Sequence, residues 1–340
     1  MLVNNVNDLQ AINTNLSGYY AQNIIIDARS TAGWNGGAGF QPLGTDVNGN
    51  ALNNGAGYTG VYYSQGLAIT GLTINRPNTT NVGLFGFSSG TIRADLTGSS
   101  ITGGSNTGGI AGTLSTAQSG VCQVCGTNAV NSSNFTGTVS GINNVGGLVG
   151  TSTGNVNGGI VSNATITGRV ATDGSGGNGV GGILGTQTAG TVQDTVTVND
   201  VSVVGAPNVG GVVGALGAGT VRNAVTGATV TGTNGTGGAV GSAFGGTITA
   251  STATAVVNGQ GNAGGFIGVI TGTATIDRSF GFSVTNATGL GVGGFVGAMN
   301  GGGTITNSAA GGNVTGYAFV GGFAGAITPD VVTGICIKRC

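Results

Sequence analysis

The 340-residue chain contains no histidine and no glutamate, and Lys338 is its only lysine. Lys and Arg number eight and Asp nine, so charged side chains make up 5% of the residues, where an ordinary soluble domain carries about 25%. Acid/base catalysis at neutral pH draws mostly on His, Glu, Lys or paired carboxylates. The available carboxylates are Asp8, Asp27, Asp46, Asp95, Asp173, Asp194, Asp200, Asp277 and Asp330. Most stand alone in sequence, which argues against an enzyme; a polysaccharide lyase or hydrolase would need several Asp and Arg gathered in one groove. The loss of Glu and Lys also removes the residues that coat helical surfaces, so a helical or α/β fold is disfavoured. A net charge of −1 gives no electrostatic reason to expect nucleic acid as a partner. No apolar run approaches the length of about 18 residues that a membrane-spanning helix needs. The opening Met1-Leu2-Val3-Asn4-Asn5 lacks a basic region followed by an apolar run. The expectation is a signal peptide already removed, or a chain that is part of something longer.

What remains is glycine, 76 residues of it, arranged periodically. Nine brackets recur, from Gly83-Leu84-Phe85-Gly86 through Gly146-Gly147-Leu148-Val149-Gly150 to Gly321-Gly322-Phe323-Ala324-Gly325. Six of the eight intervals between closing glycines span 26–29 residues, and the other two span 38 and 35. A second signal keeps this period: a β-branched residue two before a glycine, as in Ile101/Gly103, Val203/Gly205, Val230/Gly232 and Val257/Gly259. In one repeat Val284 precedes Asn286, and Asn also tolerates positive φ, which predicts a left-handed turn there. A third signal is a Thr-(Val/Ile) opening at Thr91, Thr191, Thr220, Thr247 and Thr304.

Three strand-like segments per repeat describe one coil. A coil of this size cannot bury its apolar face alone, whereas stacked coils pair every strand above and below. The expected fold is all-β, a parallel β-helix of about nine 27–29-residue repeats. Equivalent residues should form ladders: Val203, Val230 and Val257 in one, Phe266, Phe295 and Phe323 in another that continues Leu148, Ile183 and Val212. Both residues inside each bracket are apolar although strict alternation would expose one; a bulge and a packed second surface both account for it. The division reads as a lead-in over 1–80, a repeat solenoid over 81–325 and a tail over 326–340. The two long repeats place surface loops near 115–134 and 170–180. The Asp173 loop lacks the repeated acidic nonapeptide of calcium-binding β-rolls, and no metal or cofactor is expected.

The first 80 residues hold Trp34 and every tyrosine except Tyr317. Two readings stand: aromatic packing in a terminal cap, and an aromatic ligand-binding patch. The four cysteines fall as Cys122-x-x-Cys125 and Cys336-x-x-x-Cys340. Most of the solenoid separates the pairs, so one shared zinc ion is excluded; local disulfides and free thiols both remain.

The nine brackets resemble the GLUG motif, a glycine, a leucine, a variable residue and a glycine. Asn7-Asp8-Leu9-Gln10-Ala11-Ile12, Asn15-Leu16-Ser17-Gly18-Tyr19-Tyr20, Ile26-Asp27-Ala28 and Gly71-Leu72-Thr73-Ile74-Asn75 resemble the lead-in of filamentous-haemagglutinin-like surface proteins. This resemblance covers about 1–325 and implies a right-handed β-helix in a secreted or surface-bound bacterial adhesin, often exported by two-partner secretion. It implies a host-surface glycan or protein receptor, an outer-membrane secretion partner and a capacity for self-association. Cys336 and Cys340 resemble the terminal pair with which some such adhesins anchor in their exporting pore. Similar asparagine-rich sequons, here including Asn163 and Asn286, are glucosylated in some of them. A structural fibre or phage-tail subunit is the alternative. GLUG repeats also accompany metallopeptidases that cleave immunoglobulin A, but those need a zinc-binding His pair, and this chain has no His.

Overall fold

The computed structural model describes residues 1–116, 129–168 and 179–327. Its strands stack in three long sheets of 25, eight and nine strands among the described residues. One coil shows the unit. Val145–Gly146 lies on the eight-stranded sheet, Val149–Ser152 on the nine-stranded sheet, and Asn155–Asn157 and Ile160–Gly168 on the largest. The largest sheet is the first face, and the other two are the second and third. In the next coil Val180 pairs with Val145, Leu184 with Val149, Val192 with Val156 and Val203 with Ile166, all in parallel. Each strand borrows its hydrogen-bond partners from neighbouring coils, so edges remain only at the ends. The chain is a parallel β-solenoid.

The core consists of ladders. Val203, Val230 and Val257 pair in register and are fully buried. Burial of one such side chain contributes roughly 1.5–3 kcal/mol, and the ladder repeats that gain in each coil. Phe266 and Phe295 stack at 4.8 Å and 17°, and Phe295 and Phe323 at 4.9 Å and 3°. Backbone bonds carry this row back through Ala239, Val212 and Ile183 to Leu148.

The brackets turn a corner between the second and third faces, which is why both inner residues are buried, save in the last described coil, where Phe323 and Ala324 are half-buried. The Ile183 carbonyl accepts from the amides of both Leu148 and Val149, at 3.0 Å each. The Phe295 carbonyl accepts likewise from Phe266 and Ile267, at 2.9 and 2.8 Å. Two successive residues facing one partner are a bulge, and it recurs in register. The glycines are fixed by backbone crowding: a Cβ at Gly147 would collide with the Gly182 carbonyl of the next coil, and one at Gly150 would lie 2.5 Å from Thr107 N of the preceding coil.

Two expectations need correction. The glycines at Gly141, Gly205, Gly232 and Gly259 lie outside the left-handed region. They are glycine because a Cβ would press on the first residue of the second face, 2.8 Å from Val145 Cγ2 at Gly141 and 2.7 Å from Ala263 Cβ at Gly259. Nor is Val284 the partner of Val257. The register places Val284 beside Val256, Thr285 beside Val257, and Ala287 beside Gly259.

Residues 1–80 join the first face directly. Leu2 pairs with Ala21, Tyr20 with Tyr62, Tyr62 with Ile92, and Ile74 with Ile101. A short helix, Val6–Ala11, is N-capped by the Asn5 side chain and buries Val6 and Leu9. Tyr58 and Tyr62 pack on Phe85, with ring centroids 4.8 and 5.6 Å away, so these tyrosines belong to the core. Ala129–Asn131, within the stretch expected to loop out, is a strand pairing with Asn155–Asn157. The remaining extra residues of the long repeats, 117–128 and 169–178, lie outside the described residues.

Candidate interaction surface

The outward side chains of the first face also stand in register. Thr191, Thr220, Thr247, Thr275 and Thr304 form one column. Ser100, Thr138, Thr165, Ser202 and Thr229 form another, which then turns apolar at Val256 and Val284, both exposed. Beside these lie Phe280 and Phe282, exposed and stacked at 6.0 Å and 4°. The surface is thus a ribbon of hydroxyls ending in an apolar patch.

Several carboxylates of the described residues are tied into separate local contacts. Asp27 pairs with Arg29 at 2.6 Å, and the hydrogen bonds from that guanidinium hold its carboxyl down to about 2. Asp277 accepts from Asn307 and Thr306 of the following coil, at 2.8 and 2.9 Å, and pairs with Arg278 at 2.8 Å. The Asn307 and Thr306 bonds hold it below the usual carboxylate range. Asp95 is the buried one: it accepts from Ser64 Oγ at 2.8 Å and from Asn134 Nδ2 at 2.6 Å, tying three coils together. Asp194 accepts from Asn223 at 3.0 Å. Asp194 and Asp277 fall on adjacent columns, the first with Asn223 and the second with Arg222 and Thr249. No three His, Cys, Asp or Glu among the described residues gather in a metal-binding group.

Of the ladder residues, Phe266, Phe295 and Phe323 stack in one row and Val203, Val230 and Val257 pair in another. The cysteine candidates Cys122, Cys125, Cys336 and Cys340 lie outside the described residues, as does the Asp173 loop. Of the sequons, Asn163 and Asn286 are exposed on the first face.

Two polar ladders escaped the sequence reading. Asn81, Asn106, Asn144 and Asn208 occupy the left-handed region, with φ of 56°, 56°, 52° and 58°. Asn106 Nδ2 donates to Asn81 Oδ1 at 3.1 Å and Asn144 Nδ2 to Asn106 Oδ1 at 2.9 Å. Thr113, Thr151 and Thr186 donate to Oδ1 of Asn81, Asn106 and Asn144 at 2.7, 2.9 and 2.7 Å. The signal is present, since each of these Asn lies two residues before the first glycine of its bracket. Along the opposite corner, Asp194, Asn223, Ala250, Arg278 and Asn307 all have φ between 47° and 53°. Behind them Ser251, Ser279 and Ser308 accept from the backbone amides of the preceding coils, at 3.2–3.4 Å. No helix of the described residues is long and apolar enough to cross a membrane.

No family model matches the chain. It is 34% identical over 158 residues to Halomucin of Haloquadratum walsbyi (strain DSM 16790 / HBSQ001), an alignment covering 44% of this chain and 2% of that protein. The chain therefore spans a very small part of the curated relative it matches. A crystal structure described as a "putative immunoglobulin A1 protease" from Bacteroides ovatus aligns over 96% of this chain and 83% of that one, at 15% identity and a TM-score of 0.49.

Proposed function

We propose that the chain is a shaft segment of a non-catalytic bacterial adhesin, secreted or held at the cell surface, of the GLUG-repeat and filamentous-haemagglutinin-like kind. The observation that carries the reading is the first face. It repeats uncharged hydroxyl and amide side chains in columns from coil to coil, and Asp95, Asp194 and Asp277 are held by side chains of neighbouring coils. Such a surface suits many weak, laterally repeated contacts with a host glycan or protein, each small and together avid. Export through an outer-membrane partner, with Cys336 and Cys340 as the retaining pair, belongs to the same proposal. Replacing both with Ser should release the protein into the medium; unchanged retention removes the anchoring role.

The direct test is binding of the purified chain, coated on beads, to epithelial cell layers and to an array of host glycans and matrix proteins. Saturable binding supports adhesion. Beads that bind nothing, together with turnover of a polysaccharide or immunoglobulin substrate, overturn it. A structural fibre is the second reading, favoured by the exposed Tyr317, Phe319 and Val320 of the last described coil. Regular filaments of the purified chain would establish it.

A further inference from the structure

Near the N-terminus the solenoid carries a cleft around Trp34. It is open to solvent, encloses about 440 Å³, and is lined by Gln10, Asn13, Trp34, Asn35 and Gln41. That volume falls in the range of small-ligand sites, about 300–1,000 Å³. The lining is one aromatic ring and four carboxamides, with no ionisable group among them.

The fold holds these groups in place. Trp34 is half-buried and stacks on the fully buried Phe40, with centroids 6.4 Å apart at 23°. Gln10 and Gln41 lock each other: Gln10 Nε2 donates to Gln41 O at 3.0 Å, and Gln41 N donates to Gln10 Oε1 at 2.9 Å. Gln41 Nε2 donates onward to Asp46 O at 2.8 Å. Asn13 Oδ1 accepts from Gly44 N at 2.9 Å, and Asn35 Nδ2 donates to Gly39 O at 2.7 Å. Gln10 is therefore fixed to backbone at both ends, and Asn13, Asn35 and Gln41 at one. The other ends, Asn13 Nδ2, Gln41 Oε1 and Asn35 Oδ1, are left to the cleft as one donor group and two acceptors. The backbone that presents the ring is itself unusual. Asn35, Gly36 and Gly37 follow Trp34 with φ of 51°, 66° and 90°, and for a non-glycine residue such geometry persists where the surroundings impose it.

We propose that this cleft binds a neutral saccharide, with Trp34 as the stacking platform. A sugar hydroxyl both donates and accepts, matching a mixed set of fixed amides. The apolar C–H face of a pyranose suits an indole that is partly sunk in the core. A phosphate, a carboxylated sugar or a metal ion would find no opposite charge among the lining residues. The proposal gives the adhesive reading a receptor chemistry and rests on it for biological meaning, although not for the binding itself.

Trp34 is the only tryptophan of the chain, so its emission reports the site directly. The full chain should be titrated with gluco-, galacto- and manno-oligosaccharides, with sialylated forms alongside. A saturable change in emission with at least one neutral series is expected. Asn13→Ala should weaken the affinity at least about tenfold, corresponding to one lost hydrogen bond at 1.4 kcal/mol. Trp34→Phe, which keeps a stacking ring, should retain glycan-array binding that Trp34→Ala loses. No response to any neutral series, a response confined to the sialylated forms, or array binding unchanged in Trp34→Ala overturns the proposal. Wild-type cell binding by Trp34→Ala would sink the cleft and leave the adhesive reading standing; a saturable titration by a chain that binds no cells would do the reverse.

Discussion

Thr285 pairs with Val257 in register on the first face, with its side chain fully buried and its Oγ1 lacking a hydrogen-bond partner. The position belongs to the Val203–Val230–Val257 core ladder. A buried hydroxyl left unsatisfied costs about 1–3 kcal/mol, whereas valine has nearly the same shape. Thr285→Val should therefore raise stability by about 1 kcal/mol, seen as a higher denaturant midpoint with an unchanged slope. A lower midpoint would show that the hydroxyl has an uncounted partner.

This pair also shows why the repeat was legible and one register was not. Val256 and Val284 point outward, 40% exposed each, while Val257 and Thr285 point inward. The coil at 284 thus inverts the usual pattern, apolar outside and polar inside, and a reading guided by hydrophobicity selects the wrong one of two adjacent residues. A one-residue slip exchanges the faces of a strand. The brackets are legible because Leu148, Ile183 and Phe295 are apolar in a position that repeats without exception. The turn geometry is not legible because glycine serves two ends, left-handed backbone and close approach, and composition does not separate them. The Trp34 cleft was only half legible: the ring was visible, but the pairing of Gln10 with Gln41 spans 31 residues and obeys no repeat.

Asn106 separates backbone from side chain. It holds φ of 56° and also accepts from Thr151 while donating to Asn81. Asn106→Gly keeps the left-handed backbone and removes the ladder; Asn106→Ala removes both. Left-handed geometry costs a non-glycine residue about 1–2 kcal/mol. The alanine variant should be the less stable by roughly that margin in thermal or denaturant unfolding. Equal losses would mean that the side-chain ladder, not the turn, selects asparagine.

The second glycine of the bracket makes a matched pair of tests. A Cβ at Gly294 collides with the Gly322 carbonyl of the following coil, whereas one at Gly322 meets no described atom within 4 Å. Gly294→Ala should impair folding, read as lost soluble yield and a lowered midpoint, and Gly322→Ala should be tolerated. If both are tolerated, backbone crowding does not explain the bracket.

Alkaline pH should loosen the N-terminal coils. Burial raises Tyr62 and Tyr58 above the ordinary tyrosine value of 10.0, with the Asp95 charge adding to the effect at Tyr62. A group raised in the folded state contributes stability that is complete below its unfolded pKa and is lost as pH climbs past it. The denaturant midpoint should hold steady from neutral pH to about 9 and fall above about 10. Tyr62→Phe should flatten part of that fall. It should also lower stability at neutral pH by about 1–3 kcal/mol, because Tyr62 donates to Oε1 of the fully buried Gln22 at 2.9 Å.

Phe295 tests whether the solenoid is held together coil by coil. It lies between Phe266 and Phe323 in an unbroken stack and is fully buried. Truncating a core phenylalanine costs about 3–5 kcal/mol, and stacked repeats distribute stability through nearest-neighbour interfaces. The loss should therefore be local. In Phe295→Ala, amide exchange should speed up in the strands Val296–Met299 and Ala324–Ile327, while the Tyr62 and Ile92 strands near the other end keep their protection. The two regions respond differently because the Phe295 interface touches only its neighbours, so energy lost there has no direct route to Tyr62. Uniform acceleration along the whole chain would mean that the coils unfold as one unit, and the stack would then be a contributor to a single global transition instead of a local clasp.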